Sequence, residues 1–276
     1  MPWLIGFLLF TVFPFIASLY LSFCSYDVLS APRWIGLANY RDLLLNDPLF
    51  YKALYNTLCY AVFSIPLGVA AGIGLALLLD MNLRGISIYR TIFFLPSIVP
   101  VVAASMLWLW ILNPQIGLVN GLLAHIGIKG PAWLGSASWS KTSLIVMSIW
   151  GVGGAMIIYL AGLKDIPLHL YEAALVDGAN TWQRVRHITL PMLTPVIFFN
   201  VVMSVIGSFQ YFTQAYVMTG GGPEDSTLFY ALCLFNRAFS YLNMGYASAM
   251  AWILLVIVFA ATLLIFRTHR RWVHYE

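Results

Sequence analysis

Long apolar runs alternate with short polar connections along this chain, and the alternation predicts six membrane-spanning helices. They fall near residues 3–23, 55–79, 89–112, 142–163, 195–217 and 246–266. The first charged residue is Asp27, so no positive flank precedes the first run. With no clear small-residue cleavage site either, that run reads as a membrane span rather than a signal peptide. The abrupt start leaves room for a short cytoplasmic leader ahead of Met1.

One long polar stretch, 165–195, separates the fourth and fifth runs. Leu168, Tyr171, Leu175, Trp182 and Val185 recur in it at helical spacing, with Ala174, Gly178 and Ala179 between them. Asp165 is a candidate cap, and Pro167 suits a first turn, where the backbone N–H has no helical partner. Glu172, Asp177, Arg184 and Arg186 mostly fall off the apolar stripe. Gly178 would cost about 1 kcal/mol relative to Ala inside a helix, so it predicts a break, a turn or a close contact. Pro191 and Pro195 end this element and begin the next.

The outer connections read as structured. Asn113-Pro114 closes the third span, and Ile116, Leu118, Leu122 and Leu123 suggest a short interfacial helix. Trp133 and Trp139 stand where aromatic belts form. Gly220-Gly221-Gly222-Pro223 is a turn cluster. Gly68 and Gly72, extended by Ala76, and the group Gly151, Gly153 and Gly154 suggest close helix packing. For Gly151 and Gly154 the alternative is space left for a ligand.

Composition narrows the class. Hydrophobic residues make up 61% of the chain and charged ones 9%, against roughly 25% charged in a soluble protein. The reading is an all-α polytopic membrane protein, one transmembrane domain over 1–276. The net charge of +4 suits an anionic inner leaflet and membrane lipid, not nucleic acid, because no basic run exists outside the tail. Cys24, Cys59 and Cys233 have no metal or redox spacing. Arg84, Arg90, Lys164, Arg184, Arg186 and the tail arginines cluster in short connections on one side. The positive-inside rule therefore makes both termini, Leu83, His187 and the stretch 165–195 cytoplasmic.

The polar stretch fits E-A-A-x3-G-x9-I-x-L-P through Glu172, Ala173, Ala174, Gly178, Ile188, Leu190 and Pro191, with Asp177-Gly178-Ala179 beside it. It resembles the cytoplasmic coupling loop of permease subunits in bacterial ABC importers; Val185 stands where that family often has Phe. Arg90-Thr91-Ile92-Phe93-Phe94-Leu95-Pro96, Asn113-Pro114 with Gly117 and Asn120, Trp133-Leu134, and Thr219 with Gly221-Gly222-Pro223 also resemble the maltose-type, carbohydrate branch. The resemblance implies the type I importer permease fold, in the shorter six-span form of the larger maltose permease subunit. It implies import of sugars, oligosaccharides or glycerol phosphate diesters by alternating access. The implied partners are a second, different permease subunit, two ABC ATPase subunits that hold ATP and Mg, and an extracytoplasmic solute-binding protein. Each ATPase would grip a coupling helix, here Tyr171, Glu172, Ala173, Ala174, Asp177, Gly178 and Ala179.

No phosphate-cradling G-x4-G-K-[ST], zinc-type histidine pair or Gly-x-Ser-x-Gly elbow occurs in the sequence. The chain therefore reads as a transport subunit, not an enzyme, with no cofactor of its own. A self-contained secondary transporter or channel is the competing class, but it would place ionisable residues inside spans. In the fifth span, Asn200, Ser204, Ser208 and Tyr211 share a helical face, with Gln210 and Gln214 adding polarity. Inter-helix hydrogen bonding is one reading. The other is a site for a neutral polyhydroxylated ligand with Tyr211 stacked on its apolar face. The resemblance supports the second, because the matching helix of maltose-type permeases lines the sugar site.

Overall fold

The computed structural model describes residues 1–81 and 84–274, so the expected cytoplasmic position Leu83 lies outside the described residues. Helix α1 (Pro2–Ser22) takes the first apolar run. A strand pair not expected from the sequence follows: β1 (Cys24–Ser25) and β2 (Arg33–Trp34), antiparallel, with Cys24 opposite Trp34. Next come α2 (Ala38–Leu45), α3 (Pro48–Asp80), α4 (Ile86–Ile98), α5 (Val101–Ile111) and the short α6 (Leu118–His125). The chain continues through α7 (Ser140–Trp150), α8 (Gly153–Lys164), α9 (Leu168–Val176), α10 (Thr181–Met192) and α11 (Thr194–Phe209). It ends with α12 (Thr213–Met218), α13 (Tyr230–Phe235) and α14 (Met244–Thr268).

Among the described residues, α1, α3 and α14 with the turn after it are each long and apolar enough to cross a membrane. Three bent pairs meet the same test: α4 with α5 at 99°, α7 with α8 at 46°, and α10 with α11 at 63°. The sequence led us to expect continuous third and fourth spans, and the breaks correct that. Val99 precedes Pro100 and is extended, φ −67° and ψ 128°, because a residue before proline is pushed out of the helical region. Gly151 and Val152 interrupt the second pair. The fifth span was likewise expected to continue to residue 217, but α11 stops at Phe209 and α12 restarts at Thr213.

Helix α3 starts earlier than its apolar run suggests because Asp47 caps it, accepting from Leu49 N at 2.9 Å and Phe50 N at 3.3 Å, with Pro48 in the first turn. The other Asp47 oxygen accepts from Arg237 Nη2 at 2.8 Å and Tyr246 Oη at 2.6 Å. One carboxylate thus ties the N-terminal ends of α3 and α14 to the turn after α13. Helix α1 lies on α14 through Phe15 and Trp252, ring centroids 4.8 Å apart, and Trp252 Nε1 donates to Ser18 Oγ at 3.2 Å.

Two apolar cores form. One gathers Leu43, Phe50, Tyr60, Leu144, Tyr211, Phe229, Tyr230 and Met250. The other gathers Ile73, Ala76, Leu79, Met156, Tyr159, Leu163 and Leu193. Small residues set the approach of the helices in the second. A Cβ on Gly162 would sit 2.8 Å from Val196 Cγ2, and one on Gly153 would collide with the Phe93 carbonyl. Close contact of this kind replaces the hydrophobic drive that lipid cannot supply. Many large side chains outside the cores stay exposed, among them Phe10 at 83% and Leu78 at 60%, as lipid-facing surface requires.

Candidate functional site

A cavity of about 450 Å³ opens where the two cores meet and three helix breaks converge. Tyr60, Ser64 and Gly68 of α3 form one wall, and Pro96, Ser97 and Val99 bring in the α4–α5 break. Ser148, Gly151 and Val152 bring in the α7–α8 break, and Tyr159 lies beyond it. Asn200, Ser204, Ser208 and Tyr211 complete the lining with Gln214. The volume lies toward the lower end of the range for ligand pockets, roughly 300–1,000 Å³. Irregular backbone at membrane depth is tolerable where it lines such a cavity.

The predicted stripe on α11 is therefore brought together. Asn200 Nδ2 donates to Val196 O at 2.9 Å and Ser208 Oγ to Val205 O at 2.8 Å, so both side chains are anchored to their own helix. Ser204 is exposed on the cavity wall. Tyr211 lies just past the helix end, its ring 4.3 Å from that of Tyr60, with the edge contact of Phe229 at 5.2 Å. Gly151 lines the cavity; Gly154 is not among the lining residues. Gln214 faces the cavity, whereas Gln210 faces a separate groove along Leu254, Val258 and Phe259 of α14.

Five polar contributors were missed: Tyr60, Ser64, Ser97, Ser148 and Tyr159. A signal existed for the first two. Tyr60, Ser64 and Gly68 stand four apart and share a face of α3. Apart from the Trp150 indole, the polar side chains lining the cavity among the described residues are hydroxyls, phenols and amides; none is a carboxylate, amine or guanidinium. The hydroxyls of Tyr159 and Tyr211 are closed from solvent; that of Tyr159 makes no hydrogen bond among the described residues, and that of Tyr211 lies against the Tyr60 hydroxyl.

The loop 165–195 forms two short helices with a built turn. Gly178 has φ +79°, Ala179 N donates to Ala174 O at 2.8 Å, and Gly178 N donates to Leu175 O at 3.0 Å. This is a Schellman cap, which satisfies the last carbonyls of α9 and needs a residue that accepts the left-handed region. Asn180 then opens α10 in a capping box, its Oδ1 accepting from Gln183 N at 2.9 Å and Gln183 Oε1 from Asn180 N at 2.7 Å. Asp165 does not cap α9, as the sequence suggested. It ends α8, and Pro167 takes the cap position because its fixed φ is extended-compatible and it lacks a donor.

Glu172, Ala173, Asp177 and Gly178 are exposed, and Ala174 and Ala179 half-buried. Tyr171 packs on the second core and its hydroxyl meets Thr189 Oγ1 at 2.9 Å. Val176, 90% exposed, and Trp182, 68% exposed, make an uncovered apolar patch beside them.

The other motifs hold the frame. Arg90 Nη2 donates to the Leu79 carbonyl at 2.9 Å, closing the end of α3. Asn113 Oδ1 accepts from Gln115 N at 2.9 Å and Ile116 N at 3.1 Å, making the turn after α5. Asn120 bonds Pro114 O, Pro131 O and Trp133 Nε1 at 3.0, 3.2 and 2.7 Å. Thr219 Oγ1 meets Thr227 Oγ1 at 2.7 Å, bracing the glycine turn.

Residues 64–274 match the family described as binding-protein-dependent transport system inner membrane component. A probable ABC transporter permease protein of Bacillus subtilis (strain 168) is 48% identical over 279 residues, covering 100% of this chain and 90% of the relative. A trehalose/maltose transport system permease protein of Thermococcus litoralis is 31% identical, covering 98% of this chain and 92% of the relative. Among solved structures, a bacterial ABC transporter involved in the import of the acidic polysaccharide alginate matches at TM-score 0.84 and 27% identity, over 98% of this chain and 93% of that chain. A bacterial alginate ABC transporter in complex with alginate pentasaccharide-bound periplasmic protein matches at TM-score 0.86 and 25% identity, over 98% and 92%.

Proposed function

This chain belongs to the family of binding-protein-dependent transport system inner membrane components, and from that premise we propose that it forms the sugar pathway of an ATP-driven importer. It is a multi-pass inner-membrane permease subunit rather than an enzyme. The observation that carries the reading is the uncharged polar cavity at the convergence of the helix breaks. Hydroxyls and amides around an aromatic pair suit a sugar, which needs hydrogen bonds at its edges and an apolar contact on its face.

Two ABC ATPase subunits act with it, one gripping α9 around Tyr171, Glu172, Ala173, Ala174, Asp177, Gly178 and Ala179. The exposed carboxylates, small residues and apolar patch supply charge, close approach and buried area for that contact. Because the loop joins α8 to α11, a push on it reaches helices that line the cavity. An extracytoplasmic binding protein delivers the sugar at the opposite face, and a second, different permease subunit completes the pathway. Both termini and the loop face the cytoplasm, and ATP and Mg belong to the ATPase subunits.

The test is reconstitution in vesicles with these partners. Sugar uptake should require both ATP and the binding protein. Uptake by this chain alone, driven by an ion gradient, would contradict the reading.

A further inference from the structure

We propose that the C-terminal end of α14 and the turn after it form a docking surface for anionic phospholipid headgroups; that this is the ATPase side of the membrane rests on the reading above. Arg267 lies in the last turn of α14, and Arg270 and Arg271 follow on the turn His269–Arg271. All three are exposed, and none makes an ion pair among the described residues. A cation in the last turn answers the helix dipole; the two beyond it carry charge that the protein leaves unmatched. The sequence holds no Asp or Glu between Asp225 and Glu276. An apolar strip adjoins the arginines. Leu263 and Leu264, four and three residues before Arg267, are 41% and 65% exposed and share its side of the helix. One lipid can lay its chain along these leucines and its phosphate against the guanidiniums, whose forked donors match phosphate oxygens.

Contacts with α11 hold this surface in place. Phe198 meets Phe266, His269 and Trp272, with ring centroids 5.0, 5.4 and 6.1 Å away. His274 N donates to Thr194 Oγ1 at 2.8 Å. Trp272 is half-buried there, an aromatic of the kind that sits at a membrane–water boundary. Thr194 and Phe198 lie in the first turns of α11, just past its 63° bend from α10. A headgroup on the arginines therefore steadies, through Phe198 and Thr194, the point where loop 165–195 joins α11. That loop is the lever on which the ATPase acts, so coupled activity rises with the negative charge of the lipid.

The experiment uses the transporter assembled with its permease partner, ATPase subunits and binding protein. Phosphatidylglycerol retained through detergent purification is counted by mass spectrometry. Binding-protein-stimulated ATPase activity is then followed in phosphatidylcholine vesicles as phosphatidylglycerol is added. The parent should retain the anionic lipid and gain activity with it. The triple variant Arg267→Gln, Arg270→Gln, Arg271→Gln should lose the retained lipid. It should need at least about fivefold more phosphatidylglycerol for the same gain, because each arginine near a charged bilayer is worth about that factor in affinity. Its activity in phosphatidylcholine alone should match the parent's. Arg33→Gln with Arg41→Gln, beside the other end of α14, should respond as the parent does. Parent-like retention and response in the triple variant would overturn the proposal, and so would an equal gain from inorganic phosphate without the lipid. Loss of ATPase subunits from the triple variant would assign the arginines to a protein contact instead. Lipid retention is read without transport, so a transporter that keeps the lipid but imports no sugar would fail the pathway reading alone.

Discussion

Gly72 and Tyr159 lock α3 to α8: a Cβ on Gly72 would stand 2.9 Å from Cε2 of Tyr159 and 3.2 Å from Cδ2. The missing side chain lets the tyrosine lie flat in the second core, with Ala76 fully buried one turn on. Gly72→Val should therefore push the helices apart and destabilise the protein by about 1–3 kcal/mol. The measurement is thermal unfolding in detergent. Gly68→Ala serves as the control, since a Cβ there meets nothing within 4 Å. Equal melting temperatures for the two variants would contradict the packing role.

Asp47 and Arg237 form a clasp between α3 and the turn after α13, with side chains 8% and 26% exposed. Arg237→Met leaves a buried carboxylate with one strong partner fewer, a loss near the lower end of the roughly 3–5 kcal/mol seen when buried pairs are broken. Asp47→Asn in the same chain should recover part of that stability. A double-mutant cycle with no coupling would show that the clasp contributes nothing.

Gly178 stands at φ +79°, where a side chain with a Cβ costs roughly 1–2 kcal/mol. Gly178→Val should distort the turn between α9 and α10 while the spans stay folded. Uptake and binding-protein-stimulated ATPase activity should fall together, with normal amounts of protein in the membrane. Normal coupled transport by this variant would remove α9 from the ATPase contact.

Much of this was legible in the sequence, for identifiable reasons. The apolar runs behind six crossings, three of them bent pairs, showed because lipid demands long uncharged runs. The serine and asparagine stripe of α11 showed because polar groups are conspicuous against apolar neighbours. Tyr60 carried the same kind of signal through Ser64 and went unread; Tyr159 did not show, because a tyrosine in an apolar run looks like core until the cavity beside it is known. The breaks were the larger omission. Val99-Pro100 carried a local signal, but no proline marks the restart at Thr213, beside which Tyr211 packs on Tyr60. The β1–β2 pair is held by long-range bonds that no local pattern encodes, among them Asn39 Nδ2 to the Ser22 and Cys24 carbonyls at 2.8 and 2.9 Å.

Orientation is testable by labelling. Lys129, Glu224 and Arg270 are exposed in the structure. In a chain with Cys59 replaced by Ser, cysteines at Lys129 and Glu224 should react with an impermeant maleimide in intact cells. One at Arg270 should react only after lysis. The reverse pattern would put the coupling loop on the wrong side of the membrane for an ATPase.

The cavity as sugar pathway is tested most directly at Ser204, exposed on the wall of α11 and not holding the fold together. Ser204→Leu adds bulk and removes a hydroxyl where the sugar would pass. The measurement is ATP-driven uptake by the assembled transporter, with ATPase stimulation by the loaded binding protein recorded in parallel. Uptake should fall at least tenfold while stimulation persists. Uptake at the parent rate would contradict the assignment of this cavity as the path.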